Sequence, residues 1–148
     1  MNAKAKASQE CSRYIRLRDA LEYCKEHGIG LEQFYRPEEV IGKCCTCGVV
    51  KSWITMQAGH FKGRGSGGGS GVYFDERNIH LQCKQCNAFR GGNPQVYEVF
   101  IIEKYGQEVL DELNRLNHIP INMKELAMKA TEVFFKEKYQ ELVKGLPK

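Results

Sequence analysis

The sequence predicts a mostly helical α+β domain, in which a short cysteine-rich unit with strands lies between an N-terminal helix and several C-terminal helices. Helical patterns of apolar residues open and close the chain, and β-branched and aromatic stretches lie between them. Its length of 148 residues suits one domain with appendages. We divide it into an N-terminal helix with an irregular insertion (1–42), the cysteine-rich core (43–93) and a helical region (94–148).

The predicted helices have recognisable ends. They cover residues 8–27, 94–105, 107–117 and about 122–143. Gly28 and Gly106 supply stops, and Pro94 suits a first helical turn. Asn122 and Glu125 have the spacing of a capping box for the last helix. Residues 28–43 are predicted to be irregular, because three glycines and a proline interrupt them.

Two stretches favour β-strands, VVKSWITM at residues 49–56 and VYF at residues 72–74. Between them, residues 63–71 contain six glycines. This segment lacks the GK[ST] ending of a phosphate-binding loop, and a strand rather than a helix is predicted after it. We therefore expect a loop that joins two strands of a hairpin.

Apolar residues at helical spacing in the C-terminal region are expected to be core or to form a dimer interface, and the sequence leaves both open. They are Val99, Ile102, Leu110, Leu113, Leu126, Val133 and Phe134.

The charge is unevenly distributed. Residues 43–93 carry seven Lys or Arg against two acids, whereas the rest of the chain has a balance of −1. A concentrated positive field suits a polyanion such as DNA, although a solvated basic surface would give the same pattern. No apolar run approaches the ~20 residues that span a bilayer, and no apolar signal region opens the sequence. We expect a cytoplasmic protein without a membrane partner.

Four cysteines form two CxxC pairs, which is the spacing at which two sulfurs bind one metal ion. They are Cys44, Cys47, Cys83 and Cys86. Two such pairs predict a closed tetrahedral site for structural Zn²⁺. Cys45 could compete with Cys44, but the CxxC spacing favours Cys44. Cys11 and Cys24 are expected to be buried helix thiols.

His60, Asn78 and Asn87 stand in a pattern that resembles the HNH, or ββα-metal, nucleases in an HNN variant. In that superfamily a His ends the first strand of a hairpin, an Asn follows in the loop, and a His or Asn begins a helix. The sequence QCKQCN resembles the zinc knuckle that leads into the third motif residue of many members.

A closer resemblance is to the phage NinG (Rap) family of recombination endonucleases. The stretches that carry it are YIRLRD, CTCG, QAGHF, DERNIHLQCKQCN, GGN and YGQE. The resemblance covers residues 11–19 and 43–117, and residues 20–42 look like an insertion. It implies a zinc-stapled ββα-metal (HNH-like) core and hydrolysis of DNA phosphodiester bonds, with branched intermediates such as Holliday junctions or D-loops as substrates.

The resemblance also implies roles for individual residues. His60 would be the general base, Asn78 would tie the loop and orient His60, and Asn87 would bind a catalytic Mg²⁺ or Mn²⁺ through its amide oxygen. His60 and Asp75 are further candidate ligands of that ion. Candidate DNA-binding residues are Lys62, Arg64, Lys84 and Arg90.

One position departs from the HNH pattern. Gly59 stands where most HNH nucleases carry an acidic residue or a His that binds the metal ion. Gln57, Asp75 or Glu76 could supply the missing oxygen, or water could fill the position. His80 could be a ligand, although a hydrogen-bonded structural His is the commoner outcome. The departure favours an alternative function, a non-catalytic zinc module that binds nucleic acid or a protein. The presence of His60, Asn78 and Asn87 favours the nuclease more strongly, because a binding module needs zinc and basic residues but not these three.

Overall fold

Helices surround two short β-hairpins in the computed structural model, which describes residues 1–63 and 69–148. The elements are α1 (Ala3–Glu26), β1 (Ile41–Lys43), β2 (Val50–Ser52), β3 (Gln57–His60), β4 (Ile79–Gln82), a π-helical turn (Gln85–Phe89), α2 (Pro94–Tyr105), α3 (Gln107–Leu116) and α4 (Glu125–Val143). The predicted class, mostly helical α+β with an N-terminal helix and C-terminal helices, is confirmed. None of the helices in these two ranges is long and apolar enough to cross a membrane.

Helix α1 begins five residues earlier than the sequence pattern predicts. The Asn2 side chain accepts a hydrogen bond from the Ala5 backbone N–H at 2.8 Å and so caps the helix. The Cys11 and Cys24 thiols are buried on its packed face, as predicted.

Both hairpins are antiparallel. Strand β1 pairs with β2, and β3 pairs with β4 in a register that sets Gln57 opposite Gln82 and His60 opposite Ile79. The predicted glycine-rich loop falls in the connection between β3 and β4. Residues 64–68 of that loop, including the candidate DNA-binding residue Arg64, lie outside the described residues.

The two predicted strands were wrong in detail. VVKSWITM is not one strand, because a 3₁₀ turn at Trp53–Thr55 separates β2 from β3. The Trp53 indole N–H donates to the Pro37 carbonyl at 2.9 Å, which holds the ring against the core and breaks the strand. VYF is a turn rather than a strand, and the second strand of the site hairpin is Ile79–Gln82.

The β3–β4 hairpin is covered on both faces. On one face Ile79 packs with Cys11, Ile15 and Phe135, which belong to α1 and α4. On the other face the Tyr97 hydroxyl of α2 donates to the Gly59 carbonyl at 2.6 Å. The hairpin is therefore held between α1 and α4 on one side and α2 on the other.

The C-terminal helices bury a different set of residues from the one predicted. Leu110 and Leu113 are buried as expected, but five of the predicted apolar positions are at least one-third exposed: Val99, Ile102, Leu126, Val133 and Phe134. The predicted capping box does not form, because α4 starts at Glu125 and the Asn122 side chain instead accepts from the Lys124 N–H at 2.9 Å.

Candidate functional site

The four predicted cysteines come together in one cluster. Their sulfur atoms all lie within 4.8 Å of one another, and those of Cys47 and Cys83 are 3.6 Å apart. Zn–S bonds of about 2.3 Å in a tetrahedron place sulfurs roughly 3.8 Å apart, so the cluster fits Zn²⁺. Cys44, Cys83 and Cys86 are buried and Cys47 is exposed. A set of four sulfur ligands leaves no open coordination position, which is the pattern of a structural site.

Local hydrogen bonds favour ionised sulfur at Cys44, the first cysteine of the first CxxC pair. Burial of the Cys44 thiol raises its pKa, but hydrogen bonds from the Thr46 side chain and from the backbone N–H of Cys47 outweigh burial and lower the pKa to about 6. Metal ions bind the thiolate form. Cys45 is not in the cluster; burial raises the pKa of its thiol well above the ordinary value. The choice of Cys44 over Cys45 is confirmed.

His60 is the last residue of β3 and is half-buried. Its Nε2 lies 2.8 Å from the Tyr73 carbonyl oxygen, and its ring stacks on the Tyr73 ring with centroids 4.4 Å apart. A cavity of about 280 Å³ lies beside it, lined by Ser8, Ser12 and Phe74 among others. Because a carbonyl only accepts, Nε2 carries a proton and Nδ1 is the basic nitrogen of the neutral ring.

Asn78 ties the connection between the two strands. Its fully buried side chain accepts from the Lys62 N–H at 2.8 Å and donates to the Lys62 carbonyl at 2.9 Å and to the Val72 carbonyl at 3.0 Å. Its own carbonyl accepts from the Phe61 N–H at 2.8 Å. Three of these four bonds fix the two residues that directly follow His60, and the fourth fixes Val72.

Asn87 lies beside Gly59 at the end of β3. Asn87 is in the π-helical turn and donates from Nδ2 to Gln57 Oε1 at 2.7 Å. Successive strand residues face opposite sides, so Gln57 and Gly59 share one face. Asn87 is next to that face, and His60 is the last residue of the same strand.

Gly59 has no side chain because the space is filled from β4. A Cβ added to Gly59 would overlap Gln82 Oε1 and would lie 3.1 Å from Asn87 Oδ1. Two amide oxygens therefore occupy the place where an acidic side chain would project from residue 59. Sequence reasoning did not identify Gln82, because only the β3–β4 register brings it to this position.

The carboxylates near the hairpin are engaged elsewhere. Asp75 accepts from the Arg77 guanidinium at 2.8 Å, and Glu76 accepts from Lys138 Nζ at 2.7 Å. Within residues 1–63 and 69–148, the four cysteines are the only group of three or more His, Cys, Asp or Glu side chains positioned to share a metal ion. The structure therefore does not bring His60 and Asp75 together in such a group.

His80 belongs to a buried hydrogen-bond network. Its Nδ1 lies 3.2 Å from Asp19 Oδ2, and its Nε2 lies 3.1 Å from the Tyr105 hydroxyl. Burial would raise the pKa of Asp19, but the His80 ring and the Arg18 guanidinium hold it well below the usual range. Asp19 Oδ2 also accepts from the Leu81 N–H at 2.8 Å, so the network ties α1 to β4. His80 is the hydrogen-bonded structural histidine that the sequence left as an alternative.

Three of the candidate DNA-binding residues are described. Lys84 and Arg90 are exposed on either side of the π-helical turn, and Lys62 is half-buried next to Phe61. Arg90 also lies 3.9 Å from the Cys86 sulfur, at the edge of the cysteine cluster.

Comparison with known proteins identifies the family. The family model described as "Bacteriophage Lambda NinG protein" matches residues 2–146. Proteins named ninG from Escherichia phage 933W, Escherichia phage lambda and Salmonella phage P22 are 32%, 33% and 33% identical to this chain over 90%, 72% and 68% of its length.

The aligned parts cover 63%, 50% and 48% of those three relatives, so the chain spans roughly half to just under two thirds of their length. No solved structure matches the chain significantly. Because the family model covers nearly all of its residues, the chain belongs to the phage NinG family.

Proposed function

We propose that this protein is a divalent-metal-dependent DNA endonuclease of the HNH type. It would hydrolyse phosphodiester bonds in branched recombination intermediates, such as Holliday junctions or D-loops, during phage or prophage recombination in the host cytoplasm. Membership of the NinG family supports the phage setting. The branched substrate follows from the resemblance to that family.

The observation that carries the proposal is the arrangement around the end of β3. Asn78 fixes the two residues after His60 with three hydrogen bonds, which is the role that the HNN resemblance implies for its middle residue. Asn87 follows the second cysteine pair in a π-helical turn, a rare element that is frequent at functional sites. The cysteine cluster brings the CxxC pair that follows β1 next to the CxxC pair that follows β4.

His60 is the proposed general base. With Nε2–H donated to the Tyr73 carbonyl, Nδ1 would take the proton from the attacking water. The stacked Tyr73 ring restricts the orientation of the imidazole. The cavity beside His60 gives room for a water molecule.

The residues beside Gly59 fit a hard cation. Oxygen ligands suit Mg²⁺ or Mn²⁺, and Asn87 Oδ1 would be one of them. Such an ion would supply charge neutralisation at the phosphate and the leaving oxygen. The exposed side chains of Lys84 and Arg90 would bind phosphate oxygens next to it.

The proposal is tested by cleavage of a four-way junction and of a linear duplex of matched sequence, with Mg²⁺ or Mn²⁺. His60→Ala should lower the cleavage rate by about 10² or more, which is the usual contribution of a general base. His27→Ala is the matched control, because His27 is exposed at the end of α1. Zinc content is measured for each variant. Equal rates for His60→Ala and the control would contradict the proposal.

One observation favours the alternative, a zinc module that binds nucleic acid without cutting it: residue 59 offers no side chain to a metal ion. That function predicts salt-dependent junction binding, no cleavage with either metal ion, and no effect of His60→Ala on binding.

A further inference from the structure

Gln82 carries a buried oxygen for which the described residues provide no donor. Its side chain is fully buried, and its Nε2 donates to the Thr46 hydroxyl at 3.1 Å and to the Gly92 carbonyl at 2.9 Å. Its Oε1 has no hydrogen-bond partner within the described part of the chain. An unpaired buried acceptor destabilises a fold, so this oxygen requires an explanation.

The orientation of the Gln82 amide follows from its neighbours. The Gly92 carbonyl can only accept, so the nitrogen of the amide must face it. Exchanging the oxygen and the nitrogen would set two carbonyl oxygens against each other. The unpaired oxygen is therefore the one that faces Gly59.

A second amide oxygen converges on the same place. Asn87 Oδ1 lies 3.1 Å from the point that a Cβ of Gly59 would occupy, and Gln82 Oε1 overlaps that point. Asn87 Nδ2 donates to Gln57 Oε1 at 2.7 Å, and this leaves Asn87 Oδ1 on the side of Gly59. The carboxylates of Asp75 and Glu76 are engaged in ion pairs with Arg77 and Lys138.

We propose that Gln82 Oε1 and Asn87 Oδ1 are two ligands of a divalent-cation site beside Gly59, with Mg²⁺ or Mn²⁺ as the bound ion. Two oxygens facing one place, one of them buried without a donor, form the kind of site that a hard cation stabilises. Neutral amide ligands carry no charge and make this a weak site. The inference rests on the proposed function, because it supplies from β4 the oxygen that residue 59 lacks.

The test compares two substitutions that lose the same hydrogen bonds. Gln82→Met and Gln82→Glu both remove the donations to Thr46 and Gly92, but only Gln82→Glu keeps an oxygen and adds a charge. Binding of Mn²⁺ to the zinc-loaded full chain is followed by electron paramagnetic resonance of the free ion. Gln82→Met should weaken binding about tenfold or more, and Gln82→Glu should tighten it.

Gln95→Glu is the charge control, because Gln95 is exposed in the first turn of α2. Similar Mn²⁺ affinities for wild type, Gln82→Met and Gln82→Glu would overturn the inference. A second measurement needs no substitution: Mn²⁺ should broaden the side-chain NH₂ resonances of Gln82 and Asn87 first. Broadening confined to other residues would also overturn it.

Failure of this inference is distinguishable from failure of the proposed function. If the protein cleaves the junction and the Gln82 substitutions leave its Mn²⁺ affinity unchanged, the cation site is refuted and the proposed nuclease function stands. Binding of Mn²⁺ that depends on Gln82, without any cleavage, would establish the site and refute the nuclease.

Discussion

Substitutions at Asn78 test how its side chain stabilises the connection between β3 and β4, because that side chain both donates and accepts hydrogen bonds there. Asn78→Ala removes one bond from the Lys62 N–H and two donated to the carbonyls of Lys62 and Val72. Asn78→Asp keeps the acceptor but turns the donor into a second oxygen that faces both carbonyls. The two variants therefore separate loss of the amide from the introduction of a buried charge.

The expected magnitudes follow from these contacts. Three hydrogen bonds at about 1 kcal/mol each give a loss of roughly 3 kcal/mol in the free energy of unfolding for Asn78→Ala. Asn78→Asp should lose more, about 3–5 kcal/mol, because a buried carboxylate without a cation faces two carbonyl oxygens. That environment raises the pKa of the introduced carboxyl, so the excess over Asn78→Ala should shrink as the pH falls and the group becomes protonated.

Asn122 provides the matched control. Its exposed side chain only accepts, from the Lys124 N–H, so Asn122→Asp should change the stability by less than about 0.5 kcal/mol. Urea unfolding of the zinc-loaded protein can be followed by the fluorescence of Trp53, which is the only tryptophan and is buried. If Asn78→Asp matched wild type, or were milder than Asn78→Ala at neutral pH, the assignment of the Asn78 bonds would be wrong.

Three further predictions follow. Cys86→Ser should lower the bound zinc, measured by atomic absorption, and also the urea midpoint, because a sulfur ligand is lost from the cluster. Asp19→Asn should cost about 3–5 kcal/mol at pH 7, since Asp19 pairs with Arg18 and its pKa is depressed. Stability from a depressed pKa is present above the unfolded value of about 3.9 and lost below it, so this difference should shrink in urea titrations below pH ~4. Gly59→Ala should cost about 1–3 kcal/mol by urea unfolding, because the added Cβ overlaps Gln82 Oε1, and less in a Gln82→Ala background.

The features that short sequence spacings determine could be predicted. A CxxC pair sets the geometry of its own knuckle, so the four cysteines that cluster were identified correctly, although 35 residues lie between Cys47 and Cys83. The helix from Pro94 to Tyr105 has local signals at both ends, and its predicted bounds match the structure. Which of its faces is buried depends on tertiary packing: Tyr97 and Ile101 are buried, whereas Val99 and Ile102 are largely exposed.

The strands could not be predicted reliably because their determinants are non-local. VYF has high β propensity, but Val72 packs into the core with Phe61 and Tyr97 as part of a turn. The true second strand, Ile79–Gln82, is buried at all four positions. It therefore lacks the alternation of buried and exposed residues that marks a half-buried strand. It is not a continuous apolar run either, because His80 and Gln82 are polar.

The relation between Gly59 and Gln82 shows most clearly why the site needed a structure. The sequence indicates only that residue 59 has no side chain. What fills the space depends on register, because a slip of one residue would turn Gln82 to the opposite face of the hairpin. The Asp19 carboxylate, which accepts from the Leu81 N–H, helps to hold β4 in place from α1. The hydrogen-bond network of Asp19 and His80 thus helps to fix the position of β4, the strand that presents the Gln82 oxygen beside Gly59.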